Sequence, residues 1–479
     1  MSFRAHREKS FFGRQCGLSK LHHYPAVASG MIETEIAVDP KPFDTEKQAL
    51  LERAWAQIDE DRIKQLLVAM VDIPSPTGEE ARLAEYAASY MGQVGLDAFC
   101  QRINDSQANA VGRLKGSGGG PDLLLYAPLD TDFTGVEEED CPGVGVELPP
   151  TLRTKATVEN DSVVGLGAVN PKGFATCVVT AAEAIRRAGI KLRGSIVVGL
   201  GAGGMPSNRS QKTSLPNWHI GQGVGCSFML EQGVRGDFAI IAKPGWAVAW
   251  EEVGLCWFKL MVKGNLGYVG TRHTAAYSNA IVNATTVIQE LEKWFPLYAD
   301  RNRSGLVAPQ GVVGAIEGGW VYKPSFIPAT CTFYVDLRIS PRTSPMEAKR
   351  QFGEAVAAIQ GRHPEIGVDW EMVLSIPGES TNPKNWIIQS CMRAWEFVEG
   401  RAHEPILNTS GATDANILRN RGIPTARIGL PRISDGVHGS TNVSPRAASI
   451  ANMERLIRCL VYCAIDTCAR DYSEVGHLQ

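Results

Sequence analysis

At 479 residues the chain exceeds what one hydrophobic core ordinarily organises, so two domains are expected. A hydrophobic content of 44% and a formal net charge of -3 give no reason to expect a nucleic-acid or anionic-membrane partner, and no apolar run is long enough to cross a bilayer. The eleven cysteines are odd in number, form no CxxC and no zinc-finger spacing, and read as free thiols of a reducing, cytoplasmic compartment.

Residues 1 to 30 carry Arg, Lys, His and Ser, with Glu8 as their only acid, and lack the apolar core of a secretory signal. A flexible tail reaching to residue 43, a transit segment and an over-long start ahead of Met31 all fit this composition. From Asp44 apolar residues recur at helical spacing, first Leu50, Leu51, Ala54 and Trp55, then Ile63, Leu66, Leu67 and Met70. Ile73 to Gly78 breaks this spacing, and Glu79 to Met91 resumes it as a third helix. Leu123 to Leu129 is an uncharged run bounded by glycines and by Asp130 and Asp132, the pattern of a strand buried on both faces. A Pro/Gly-rich loop through Pro150 follows, its acidic run Glu137 to Asp140 reading as solvated. The Gly-rich turn Gly165 to Gly173 then leads into a helix over Phe174 to Ala188, where Cys177 reads as a core thiol, and strands are predicted at Gly194 to Leu200 and Phe238 to Ala242.

Near Gly254 the pattern changes. Strands at Leu255–Lys263, Val312–Ile316, Thr330–Arg338 and Gly367–Leu374, with helices at Ser278–Trp294 and Pro345–Gln360, give the β-α-β-β-α-β order of a ferredoxin-like unit. Beyond Pro377 the alternation of helices and buried strands resumes, with a helix from Asn385 to Val398, a strand from Thr425 to Leu430 and a last helix from Ser444 to Arg470. The predicted fold class is therefore α/β: a mostly parallel sheet covered by helices, formed by 44–253 and 376–479, with an α+β unit inserted at 254–375. In such sheets chemistry gathers past the carboxyl ends of the strands, which makes Asp130 a candidate catalytic carboxylate.

The landmarks together resemble the M20 family of zinc aminoacylases, deacetylases and carboxypeptidases. Leu125 to Asp132 looks like that family's strand ending in His-x-Asp, and Gly165 to Gly173 like its Gly-x-Gly-x-x-Asp-x-Lys-Gly turn. Gly270 to Ala275 with Asn283-Ala284, Val335 to Arg338, Ser410 to Ala415 and Val437 to Ser440 resemble its lid, substrate-loop and closing His motifs. The resemblance implies an aminopeptidase-like fold, a lid that dimerises, and two zinc ions held by two histidines and three carboxylates. In this chain the first His position is Pro128, the bridging carboxylate is Asn170, the Glu-Glu pair falls on Gly203-Gly204, and the acid before a proline is Lys243, before Pro244. Only His438 matches a ligand, and Asp130 matches the residue that orients the first His. A proline offers no lone pair and a lysine sets a positive charge where a dication would sit, so no metal cofactor is expected.

The residues that remain imply a C–N bond hydrolase acting on a small carboxylate-bearing amide, with Asp130, Lys243, His438 and Lys172 as catalytic candidates. By resemblance His273, Asn283, Arg338, Gly411, Thr413 and Asn170 would contact substrate, His273 from the dimer partner. Each has a structural reading as well: Asp130 as a strand-end cap, Lys172 and Lys243 as partners of nearby acids, His438 as a loop hydrogen-bonder. A non-catalytic relative that binds a small carboxylate or supports a partner enzyme, and a zinc amidohydrolase with displaced ligands, such as His219, are the alternatives. The Gly165-x-Gly167 pair is too short a match for a dinucleotide fingerprint.

Overall fold

The computed structural model, which describes residues 37–145, 147–149, 152–207, 220–431 and 447–476, enters its sheet through helices α1 (Thr45–Trp55), α2 (Glu60–Val71) and α3 (Ala81–Gln93). Asp44 and Asp59 cap the first two, accepting from the amides of Lys47 at 2.8 Å and Asp61 at 3.0 Å. Strands β1 (Asp97–Arg102), β2 (Ala108–Leu114) and β3 (Leu123–Pro128) follow. Helix α4 (Glu137–Val144) comes next, then the short strands β4 (Thr157–Glu159) and β5 (Ser162–Val164). Helix α5 (Lys172–Arg187), strand β6 (Ile196–Gly201), helix α6 (Val224–Glu231) and strand β7 (Phe238–Ala242) complete the first stretch.

The middle stretch holds β8 (Glu251–Glu252), β9 (Gly254–Lys263), β10 (Gly267–Tyr268), α7 (Ala280–Asn302), β11 (Gly311–Gly318) and β12 (Phe326–Ile327). It continues with β13 (Thr330–Ile339), α8 (Pro345–Arg362), β14 (Val368–Ile376) and β15 (Glu379–Ser380). The chain then runs through α9 (Trp386–Glu399), α10 (Ala415–Asn420), β16 (Thr425–Ile428), β17 (Ala447–Ser449) and α11 (Ile450–Cys468).

The central sheet has the order β1-β2-β6-β3-β7-β16. Strands β6, β3, β7 and β16 are parallel to one another, while β2 joins β6 and β1 antiparallel. Side chains along β3 alternate between two cores, Leu123, Leu125 and Ala127 against α5 and α11, and Leu124 and Tyr126 against α6 and α10. That is why the strand reads as one continuous apolar run: neither face meets water. A separate four-stranded antiparallel sheet, β11-β13-β9-β14, packs against α7 and α8 around Phe258, Phe333, Leu291 and Phe352. Pairing of β8 with β15 ties together the points where the chain enters and leaves this second sheet.

Three sequence expectations change. The acidic run Glu137 to Asp140 is the first turn of α4 and not a free loop. Asp140 folds back onto the amides of Thr134 at 3.1 Å and Gly135 at 2.8 Å, and acids suit a helix N-terminus. Helix α7 runs on past Pro296 to Asn302 because Phe295, Tyr298 and Ala299 still bury on its inner face, overriding the proline stop signal. The last helix begins at Ile450, behind the short strand β17. Strands β1 and β2 carry little sequence signal, because their residues are not rich in β-branched types.

Candidate functional site

The carboxyl ends of β3, β6 and β7 converge on a small polar centre. Asp130 sits two residues past β3 and is completely buried. Its Oδ1 accepts from the amide of Gly204 at 2.7 Å, and its Oδ2 accepts from the amide of Met205 and from Thr77 Oγ1, both at 2.8 Å. A carboxylate so held is an anchor for the loop after β6. Glu80, at the mouth of α3, holds the preceding residue of that loop: its Oε1 accepts from Gly203 at 3.0 Å and from Gly78 at 2.8 Å. The other oxygen of Glu80 is buried without a hydrogen-bond partner. Burial, with the Asp130 charge adding to it, pushes the Glu80 carboxyl up to about 8.

Gly204 itself faces the space between two acids. A Cβ built there would lie 2.6 Å from Pro128 Cβ and 3.2 Å from both Asp130 Oδ1 and Asp414 Oδ2. Asp414, from the loop before α10, accepts a 2.6 Å hydrogen bond from the hydroxyl of Tyr126. Burial raises the Asp414 carboxyl to about 7, against the pull of the Tyr126 hydrogen bond and the Lys243 charge. Lys243, one residue past β7 and 5% exposed, donates to Asn170 Oδ1 at 3.0 Å, with Met205 Sδ 4.0 Å from its ammonium.

Asp130, Asn170 and Lys243 are thus brought together, and Glu80, Tyr126 and Asp414 join them. Lys172 is not part of the cluster in the expected way. The stem of this residue passes Gly167, whose φ of +80° and missing Cβ leave room for it, and its amine donates to the carbonyls of Ile73 at 2.7 Å and Val71 at 3.4 Å. Burial lowers its pKa to about 7, opposed by Asp72. Lys172 therefore ties the Gly-rich turn to the end of α2.

Of the lid candidates, Arg338 spends Nε and Nη2 on the two oxygens of Asp336, each at 2.9 Å. Asn283 donates to Lys263 O at 2.8 Å and to Ser278 Oγ at 3.1 Å, closing its own loop. His273 is exposed next to Arg272, which stacks on Tyr277 at 4.4 Å. Gly411 is exposed, while Thr413 donates to Glu252 Oε2 at 2.6 Å. His438 and His219 lie outside the described residues.

The donor set fits poorly with a pair of zinc ions. Asn170 already carries the Lys243 ammonium, Asp130 is filled by three donors, and the Pro128 ring abuts Gly204 where a liganding side chain would leave the backbone. Among the described residues no cluster of three or more His, Cys, Asp or Glu has the arrangement of a metal site.

The buried partners that sequence reasoning missed do carry signals. Tyr126 is the one hydroxyl-bearing residue in an otherwise apolar strand, and a buried tyrosine seeks a partner. Asp414 lies inside the substrate-loop motif, and Glu80 follows the helix-breaking Pro76-Thr77-Gly78.

The peptidase dimerisation domain family matches residues 251–364, the stretch that carries β9, β11 and β13 of the second sheet. The fold is similar to that of human carnosine dipeptidase 1 at a TM-score of 0.64 and 15% identity, covering 90% of this chain and 100% of that one. It is similar to an M20 family metallo-carboxypeptidase from Sulfolobus solfataricus at a TM-score of 0.60 and 13% identity, covering 86% and 100%. A hydantoinase/carbamoylase family amidase from Burkholderia multivorans gives 0.56 and 13%, covering 86% and 99%. Residues 251–364 thus match a peptidase dimerisation domain, and the chain shares the fold of these proteins.

Proposed function

We propose that this chain hydrolyses the C–N bond of a small carboxylate-bearing amide, without a dinuclear zinc centre. The observation that carries the reading is Lys243: a nearly buried ammonium past β7, held by Asn170 at 3.0 Å and close enough to Asp414 to lower its pKa. A cation fixed in a dry cleft stabilises the oxyanion that forms when water adds to an amide carbonyl. Asp414, titrating at about 7, takes the role first expected of Asp130: it accepts the proton of the attacking water and returns it to the leaving nitrogen as the C–N bond breaks. The peptidases and amidases that share the fold support amide chemistry in this cleft. The 251–364 match supports a homodimer through the lid, and the separate core around Phe258 and Phe352 supports an inserted unit at 254–375.

Turnover of N-acetyl and N-carbamoyl amino acids in EDTA tests the proposal. Activity is expected to survive chelation and to fall about 100-fold or more in Lys243→Ala and Asp414→Asn variants of unchanged melting temperature. Stoichiometric zinc in the purified protein would sink it. One observation favours a second reading, a binding protein without turnover: Asp130 is filled by three donors and has no role left in proton transfer. In that case the same compounds raise the melting temperature and are recovered intact.

A further inference from the structure

A cavity of about 350 Å³ lies at the opposite end of the central sheet from Asp130 and Lys243. It is bounded by residues that enter three parallel strands: Asp122 just before β3, Asp237 just before β7, and Gly422 and Ile423 ahead of β16. Tyr472, in the single helical turn Tyr472–Glu474 behind α11, closes one side, and Arg235 stands exposed at the rim. A space of this size with a few convergent polar groups takes a small molecule. Two glycines shape it. A Cβ at position 236 would lie 2.7 Å from the amide nitrogen of Leu124, so Gly236 lets this segment press against the start of β3. Gly422, at a φ of +78°, borders open space, since a Cβ there would meet nothing within 4 Å.

The two carboxylates are fixed from behind. Asp122 Oδ1 accepts from the amide of Ser195 at 2.6 Å. Asp237 Oδ2 accepts from the amide of Asp122 at 2.7 Å and from the Tyr472 hydroxyl at 3.1 Å. Asp122 Oδ2 and Asp237 Oδ1 accept no hydrogen bond among the described residues, and neither acid has an ion-pair partner among them. Both charges reach the same place: burial raises the Tyr472 pKa, and Asp237 and Asp122 add to the rise. Arg235 supplies the opposite sign. Its Nη2 donates to Arg421 O at 3.0 Å, and among the described residues no carboxylate lies within ion-pair distance of it. One cavity thus holds two oriented acids and a guanidinium that do not neutralise one another directly.

We infer that this cavity binds a free α-amino acid, with its ammonium on Asp122 and Asp237 and its carboxylate on Arg235. A simple anion would meet two negative charges, and a simple amine would leave the guanidinium unmatched. A zwitterion answers both, through charge-assisted hydrogen bonds of the stronger kind. The buried Ile423 offers its side chain an apolar contact. An occupant here ties together the starts of β3, β7 and β16, away from the centre around Lys243, and the inference does not rest on the amide reading.

Binding to the full-length protein is measured by calorimetric titration and by melting temperature. The probes are L-leucine, leucic acid, which lacks the ammonium, and isopentylamine, which lacks the carboxylate. L-leucine is expected to bind and raise the melting temperature, and each analogue to bind about 10-fold more weakly or worse. Arg235→Gln, at an exposed position, should bring L-leucine down to the affinity of isopentylamine. Asp237→Asn should remove the preference for L-leucine over leucic acid; if losing the Asp122 and Tyr472 contacts unfolds it, Arg235→Gln decides alone. Lys243→Ala should bind L-leucine as the wild type does. No binding to the wild type, unchanged affinity in folded Arg235→Gln, or binding lost in folded Lys243→Ala overturns the inference. None of these outcomes touches the amide reading, which turnover decides.

Discussion

At the scale of single residues the molecule keeps its charged groups under unusually tight control. Glu80 shows the consequence. Its usual pKa of 4.5 rises to about 8 in the fold, so the folded state retains a proton that the unfolded chain releases between those values. The stability gained from the protonated form is complete below 4.5 and is lost as pH rises through this window. The expected slope from one such group is about 1.4 kcal/mol per pH unit. In Glu80→Gln that slope is removed, and denaturation midpoints from pH 5 to pH 8 should fall less steeply than in the wild type, Asp414 contributing a similar, smaller decline to both. Equal slopes would mean that Glu80 is ionised in the fold. The sequence made some of these roles legible and hid others. The Asp336–Arg338 pair could have been read in advance, since residues two apart on a strand share a face. The partners of Asp130 could not, because they come from Thr77, 53 positions earlier, and from Gly204 and Met205, 74 and 75 positions later.

Between elements, the tightest contact at the polar centre is the one between the end of β3 and the loop after β6. Pro128 and Gly204 fit only as a pair, for a Cβ at 204 would fall 2.6 Å from the proline Cβ. Gly204→Ala is therefore expected to cost about 1–3 kcal/mol through overpacking, although it adds only one methyl group. Pro128→Gly opens the same space, so in the double variant much of that cost should vanish, with a coupling of about 1 kcal/mol or more in urea midpoints. Strict additivity would show that the two positions do not press on one another. The same crowding would meet any larger side chain placed at 204. Pro128 and Gly204 could each be read in the sequence as standing where the resemblance implies a ligand. Their mutual dependence could not, because β3 and β6 become neighbours only through parallel pairing in the sheet.

For the whole molecule, the second sheet presents β11 as an open edge, with Val312 and Ile316 each 52% exposed, near α7 residues Ile281 and Val282 at 36% and 52%. An exposed apolar edge of this kind calls for a partner. Sedimentation at micromolar concentration is expected to give a dimer for the wild type and a monomer for Val312→Lys/Ile316→Lys, with the melting of the central sheet unchanged. A wild-type monomer would refute pairing through this face. The β-α-β-β-α-β order of the middle stretch and the burial of β3 on both faces were determined by the sequence alone, because hydrophobic period and turn chemistry are local properties of the chain. What each charged side chain does was decided by tertiary structure. Lys172 could have faced the cluster around Asp130 and instead serves α2, Arg338 could have held a ligand and instead holds Asp336, and Arg427, unremarkable in the sequence, pairs with Glu252. The physical reason is that a charge takes its role from the nearest donors and acceptors in space, and those are supplied by segments far apart in the chain.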